Sequence, residues 1–142
     1  MKKLMAVLPL VLLLAGCKDN YGACEKAALD IGTGITAGMK TVDSLRVAGA
    51  ISVSEETNIL NYLEFANKAD GAFATCAQAS HTAGSKAGAY TSCATLFQTT
   101  LANPQALALI RVGNPTAQGE VQLIVAGVNT GVTAILTALG GK

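Results

Sequence analysis

The stretch Ser52–Ala79, SVSEETNILNYLEFANKADGAFATCAQA, predicts one long helix and, with it, the fold class of the chain. It opens with Ser52 and places Glu55 three residues later, which is the capping-box pattern of a helix start. Apolar residues then recur at helical spacing on one stripe: Leu60, Leu63, Ala66, Phe73 and Ala77. We therefore expect a helix from Ser52 to about Ala79.

The same periodicity predicts further helices on both sides of this one. Two Asn-Pro pairs, at 103–104 and 114–115, place Asn at an N-cap and Pro at the first helical position. The expected helices run over about 24–48, 86–101, 104–111 and 115–139, in addition to the one over 52–79. The sequence thus predicts an all-α fold, a small antiparallel helical bundle of about four helices plus a short fifth, within residues 24–142.

The last predicted helix allows two interpretations. No residue from Val121 to Leu139 is charged, so its hydropathy approaches that of a membrane span. Gln122, Asn129 and several threonines interrupt the apolar pattern, and no aromatic belt or basic flank frames it. A helix that is apolar all round is either buried in a core or embedded in a bilayer. We favour a central helix of a soluble bundle and keep a membrane-spanning helix as the alternative.

The N-terminus carries the features of a secretory signal. Lys2 and Lys3 precede an apolar run from Leu4 to Leu14, and small residues follow it. The run is shorter than the roughly 20 residues that a membrane-spanning helix needs. Leu14-Ala15-Gly16-Cys17 then closes the segment. With a cysteine directly after Leu-Ala-Gly, this segment resembles the signal peptide of bacterial lipoproteins.

The resemblance implies that residues 1–16 are cleaved and that Cys17 becomes an acylated N-terminus, followed by a tether over 17–23. Bacterial lipoproteins carry two or three acyl chains, and two or more chains hold a protein stably to a membrane. Lys18 follows the cysteine where an Asp would imply retention in the inner membrane of enteric bacteria. We therefore expect a lipid-anchored envelope protein, with the membrane as partner through Cys17, on the outer membrane and facing the periplasm.

Size and charge restrict the function classes. Cleavage before Cys17 would leave 142 − 16, or 126, residues, enough for one domain with a core. The chain has 10 basic and 9 acidic residues, and loss of Lys2 and Lys3 would leave 8 against 9. Without a basic field, nucleic acid is excluded as a partner.

The three remaining cysteines are placed to meet at one end of the bundle. If the first hairpin turns near Ala50, Cys24 and Cys76 lie level; if the second turns near Gly84, Cys76 and Cys93 lie level. An oxidising compartment favours a disulfide. We favour Cys76–Cys93, because Cys24 is close to the start of its helix, and keep Cys24–Cys76 as the alternative.

The metal interpretation of these residues is weaker. Three cysteines and His81 would make a Cys3His zinc set, but no two of the cysteines are separated by the short spacing of a ligand pair. We expect no metal, and we interpret His81 as an exposed loop residue.

No catalytic motif stands out, so we expect neither an enzyme nor a cofactor. The leading hypothesis is a lipid-anchored protein with a structural, assembly or accessory role that contacts an envelope protein. Residues 103–119 either expose an apolar partner surface or fold inwards. The alternatives are a binder of a small apolar ligand or metal in the bundle, and a membrane-embedded protein whose last helix spans the bilayer.

Overall fold

The computed structural model describes residues 20–140, and the predicted signal peptide and the lipidation of Cys17 lie outside them. Within this range the chain forms five helices and no strand: α1 Asn20–Val47, α2 Val53–Thr82, α3 Ala87–Leu101, α4 Pro104–Ala108 and α5 Pro115–Gly140. The all-α prediction, with four main helices and a short additional one, is confirmed.

Side-chain caps fix three helix starts where the sequence places them. The Ser52 hydroxyl accepts a hydrogen bond from the Glu55 N–H, and the Glu55 carboxylate accepts one from the Ser52 N–H at 2.7 Å. The Asn103 side chain accepts from the N–H two residues later, and Asn114 accepts from the N–H groups of Thr116 and Ala117. Each cap satisfies backbone donors that a helix start otherwise leaves open.

The facing ends of α1 and α2 are longer than expected. α1 begins at Asn20, inside the segment expected to be a tether, and α2 continues to Thr82, so His81 lies in a helix and not in a loop. The Tyr21 ring stacks on His81 with ring centroids 4.1 Å apart, and the Tyr21 hydroxyl donates a hydrogen bond to Gln78. This contact between distant segments stabilises both helix ends. Local sequence patterns do not reveal it, because its partners are far apart along the chain.

Cross-helix contacts give the topology. Arg46 pairs with Glu56 at one end of α1 and α2, whereas Tyr21 meets Gln78 at the other, so these helices are antiparallel. Phe73 stacks on Phe97, with ring centroids 5.5 Å apart, between α2 and α3. α5 then packs against both α3 and α1. The result is an up-down-up-down four-helix bundle in which α2 and α5 lie diagonally opposite.

Two glycines allow α1 and α5 to approach closely. A Cβ added at Gly38 would lie 2.6 Å from Cγ2 of Ile124, and one added at Gly131 would lie 2.8 Å from Cγ1 of Ile31. Isoleucine side chains of each helix therefore occupy the space above a glycine of the other. These pairs also show that α5 is antiparallel to α1.

α5 forms one wall of the bundle. The expectation from the sequence that it is the central helix is therefore wrong. One stripe is buried against α1 and α3: Ala117, Val121, Val125, Val128, Val132, Ile135 and Leu139. By length and composition Pro115–Leu139 could cross a membrane, and only 28% of its most apolar window is buried inside the bundle. Its high hydropathy does not make it the central helix, because its outward side is exposed and carries uncharged residues, most of them threonine or other small or polar residues.

Candidate functional site

The candidate site is an open groove of about 500 Å³ between α1 and α2. Six residues of α1 and three of α2 line it: Glu25, Ala28, Leu29, Gly32, Thr33, Thr36, Asn67, Asp70 and Ala74. On α1 these positions recur at intervals of three and four residues, which places them on one side of that helix.

Asp70 is the unusual residue of this groove. The residue is 7% exposed, and its Oδ1 atom has no hydrogen-bond partner among residues 20–140. Burial raises the pKa of its carboxyl to about 6 from an ordinary value of 3.8. With Glu64 and Lys68 nearby on the same helix, the sequence pattern predicts that Asp70 belongs to a solvated charged face. This prediction is wrong, because α1 covers the residue.

Gly32 explains how α1 covers Asp70. A Cβ added at Gly32 would lie 3.3 Å from Oδ2 of Asp70, so a larger residue would crowd the carboxylate. Beside it, the hydroxyls of Thr33 and Thr36 donate to the carbonyls of Leu29 and Gly32, at 2.8 and 3.0 Å. Their oxygen lone pairs stay available as acceptors towards the groove.

A second buried polar atom lies deeper in α2. The hydroxyl of Tyr62 has no hydrogen-bond partner in the described part of the chain, and burial raises its pKa. Tyr62 is fully buried in the core and does not line the groove. Tyr62 is therefore a second buried polar side chain on α2, but it offers no surface for a ligand.

The cysteine end of the bundle is structural in character. The sulfur atoms of Cys76 and Cys93 lie at disulfide distance, with Cα atoms 5.8 Å apart. Cys24, the other partner considered for Cys76, is buried in α1 and is not its partner in this structure. Within residues 20–140, no group of three His, Cys, Asp or Glu side chains could hold a metal ion. His81 is exposed and stacked on Tyr21.

The opposite end of the bundle holds Glu55 in a structural role. Its carboxylate accepts from the backbone N–H of Ser52 and, at 2.7 Å, from that of Gly113. These two bonds, that from Ser52 first, lower the pKa of Glu55. Glu55 thus joins the start of α2 to the connection before α5.

The segment over 103–119 folds inwards. Ala106 is buried, and the other large apolar residues of the segment are half-buried against the core: Leu107, Leu109, Ile110 and Val112. Of the two interpretations of this segment, the structure therefore favours the inward-folded one.

An uncharged surface lies instead on the outer face of α5. We use that term for its exposed residues: Gln122, Leu123, Ala126, Asn129, Thr130, Thr133 and Thr137. Leu123 on this face is 62% exposed. The sequence analysis did not predict a separate role for this face. The signal that could have identified it is the alternation of valines with small polar residues at helical spacing.

Comparison with protein-family models, with curated proteins and with solved structures finds no match for this chain, so the functional proposal depends on fold and geometry.

Proposed function

We propose that this chain is a lipid-anchored protein of the bacterial cell envelope that contacts another envelope protein through the outer face of α5. Its role is structural, assembly or accessory rather than catalytic. The observation that supports this contact is the uncharged helix surface that the bundle leaves outside its core, on which Leu123 is a large apolar side chain that is 62% exposed.

The anchor is inferred from the lipoprotein-like signal. α1 begins at Asn20, three residues after Cys17, so a lipid on Cys17 would hold this end of the bundle close to the membrane. The Cys76 and Cys93 pair lies at the same end, because α2 ends and α3 begins there. A disulfide suits an oxidising compartment such as the periplasm, and Lys18 favours the outer membrane.

The chemistry of the outer face indicates what kind of partner fits it. No charge occurs from Val121 to Leu139, so a charged partner surface would lose its hydration without gaining an ion pair. Small side chains at Ala126, Thr130 and Thr133 allow a second helix to approach closely. We therefore assign this face to a partner protein that presents an uncharged helix.

The anchor is tested by the N-terminal mass of the protein purified from bacterial membranes. We expect a diacylated or triacylated peptide beginning at Cys17, and a Cys17→Ala variant that remains an uncleaved precursor. A Cys24→Ala variant is the matched control and should be processed normally. An unmodified N-terminus at residue 1 in the wild-type protein would contradict the anchor.

The contact is tested by placing a photo-cross-linking residue at Leu123 and, as a control, at Leu96 of α3, which is 64% exposed. We expect one envelope protein to be cross-linked from position 123 and not from 96. With the cross-linker at 123, Ala126→Glu on the same face should abolish that product, whereas Leu96→Glu should retain it. Cross-linking of a second copy, of lipid, or of nothing from position 123 would each contradict the assignment.

The spanning alternative for α5 has a specific observation in its favour, the uncharged run within Pro115–Leu139. Its buried stripe against α1 and α3 would have to leave the bundle for the helix to cross a bilayer. A processed variant that carries an ordinary signal peptide and lacks Cys17 distinguishes the two. We expect it in the soluble periplasmic fraction; retention in membranes after a carbonate wash would favour the span.

A further inference from the structure

The groove between α1 and α2 combines acidic groups with apolar walls, which suits a cationic molecule with a carbon chain. We propose that this groove binds a linear polyamine, with one ammonium group at Asp70 and another at Glu25. The proposal is independent of the contact through α5.

Asp70 supplies the first reason. The residue is 93% removed from solvent, since its exposed fraction is 7%, and Oδ1 has no hydrogen-bond donor from the described protein. Buried polar atoms almost always have a partner. Oδ1 is itself covered, but Asp70 lines the groove, so a donor seated there reaches its carboxylate when the side chain turns Oδ1 towards it. A protonated amine brings up to three N–H donors together with the opposite charge.

The spacing of the two carboxylates supplies the second reason. Gly32 lies against Asp70, and Glu25 precedes Gly32 by seven residues on the same helix. Seven residues are two helical turns, which place Glu25 on the same side about 10 Å further along the groove. One ion cannot contact both carboxylates at that separation, whereas a linear molecule with two separated charges can.

The remaining lining residues suit the carbon chain of such a molecule. Ala28 and Ala74 on the two helices, with the largely exposed Leu29, provide apolar surface for methylene groups. The hydroxyl oxygens of Thr33 and Thr36 can accept from further amine N–H groups. Among the described residues that line the groove there is no lysine or arginine to compensate the acidic charge.

The proposal is tested by calorimetric titration of the full chain, purified from membranes in detergent, with spermidine and with the shorter diamine putrescine. We expect spermidine to bind with a stoichiometry of one and more tightly than putrescine, which reaches only one carboxylate. Asp70→Asn should weaken spermidine binding at least tenfold. Glu25→Gln should weaken it at least threefold and remove the preference over putrescine.

Glu64→Gln is the matched control, because Glu64 is exposed on α2 but does not line the groove. Its affinity should equal that of the wild type, and thermal melting should show that every variant is folded. The proposal is overturned if the wild type binds no spermidine at millimolar concentration, or if Asp70→Asn binds it equally well. Equal losses in Glu64→Gln would likewise overturn it, because they would indicate unspecific attraction to acidic surface.

Discussion

Replacement of Asp70 by Asn should stabilise the protein at neutral pH. Burial raises the pKa of this carboxyl from 3.8 to about 6, a difference of about two units. One unit corresponds to about 1.4 kcal/mol, so keeping the ionised group buried costs about 3 kcal/mol above pH 6. Asparagine has nearly the same shape and no charge, and it should recover most of that free energy.

The pH dependence of this stabilisation follows from the ionisation of Asp70 in the unfolded and in the folded protein. The unfolded chain ionises Asp70 near pH 4, whereas the folded protein keeps it protonated until about pH 6. The full stability is therefore present below about pH 4 and is lost as pH rises to about 6. The difference between wild type and variant should be near zero at about pH 4 and near 3 kcal/mol at about pH 7.

Urea unfolding followed by circular dichroism, in amine-free buffer over this pH range, measures the difference directly. In thermal melts the variant should gain about 10 °C at neutral pH. Asp43→Asn serves as the control, because Asp43 is an exposed acid on α1 and should show no such gain. A variant with the same pH dependence as the wild type, or one less stable at neutral pH, would refute the reasoning.

Three further outcomes are expected. Cys93→Ser should lower the free energy of unfolding by about 3 kcal/mol under oxidising conditions, because the link to Cys76 closes a 17-residue separation, and denaturation with and without reductant measures this. Gly131→Ala should cost about 1–3 kcal/mol by overpacking, whereas Gly127→Ala, which meets open space, should be neutral or stabilising by up to about 1 kcal/mol. Because hydrogen bonds lower the pKa of Glu55 in the folded protein, its ionised carboxylate stabilises the fold at pH values above 4.5, the ordinary pKa. This stability should be lost as pH falls through the lowered pKa, and pH-resolved denaturation of Glu55→Gln should no longer show this dependence.

Each of these has an outcome that contradicts it. An unchanged midpoint for Cys93→Ser in the absence of reductant would argue against the disulfide. Equal effects of alanine at 131 and 127 would show that the close approach of α1 and α5 is absent. If the acid-unfolding curve of Glu55→Gln overlays that of the wild type, the hydrogen bonds from Ser52 and Gly113 are not the cause of the acid sensitivity.

Much of the helical architecture could be predicted from the sequence, because helix starts are local. Ser52, Asn103 and Asn114 each satisfy backbone donors within a few residues, and their caps appear as predicted. The spacing of valines in α5 likewise identifies its buried stripe, since a helix face depends only on periodicity. The level placement of Cys76 and Cys93 follows from counting residues on either side of one turn.

The candidate site could not be predicted, because it depends on what covers each residue. Asp70 has the sequence context of a solvated acid, and only the approach of α1 at Gly32 removes it from water. The helical extension to Asn20 and the position of His81 depend in the same way on a contact between Tyr21 and α2. Local sequence thus determined where the helices form and which stripe each one buries. Tertiary packing decided which polar groups lose their water and which faces stay exposed, because desolvation depends on neighbours that are distant along the chain.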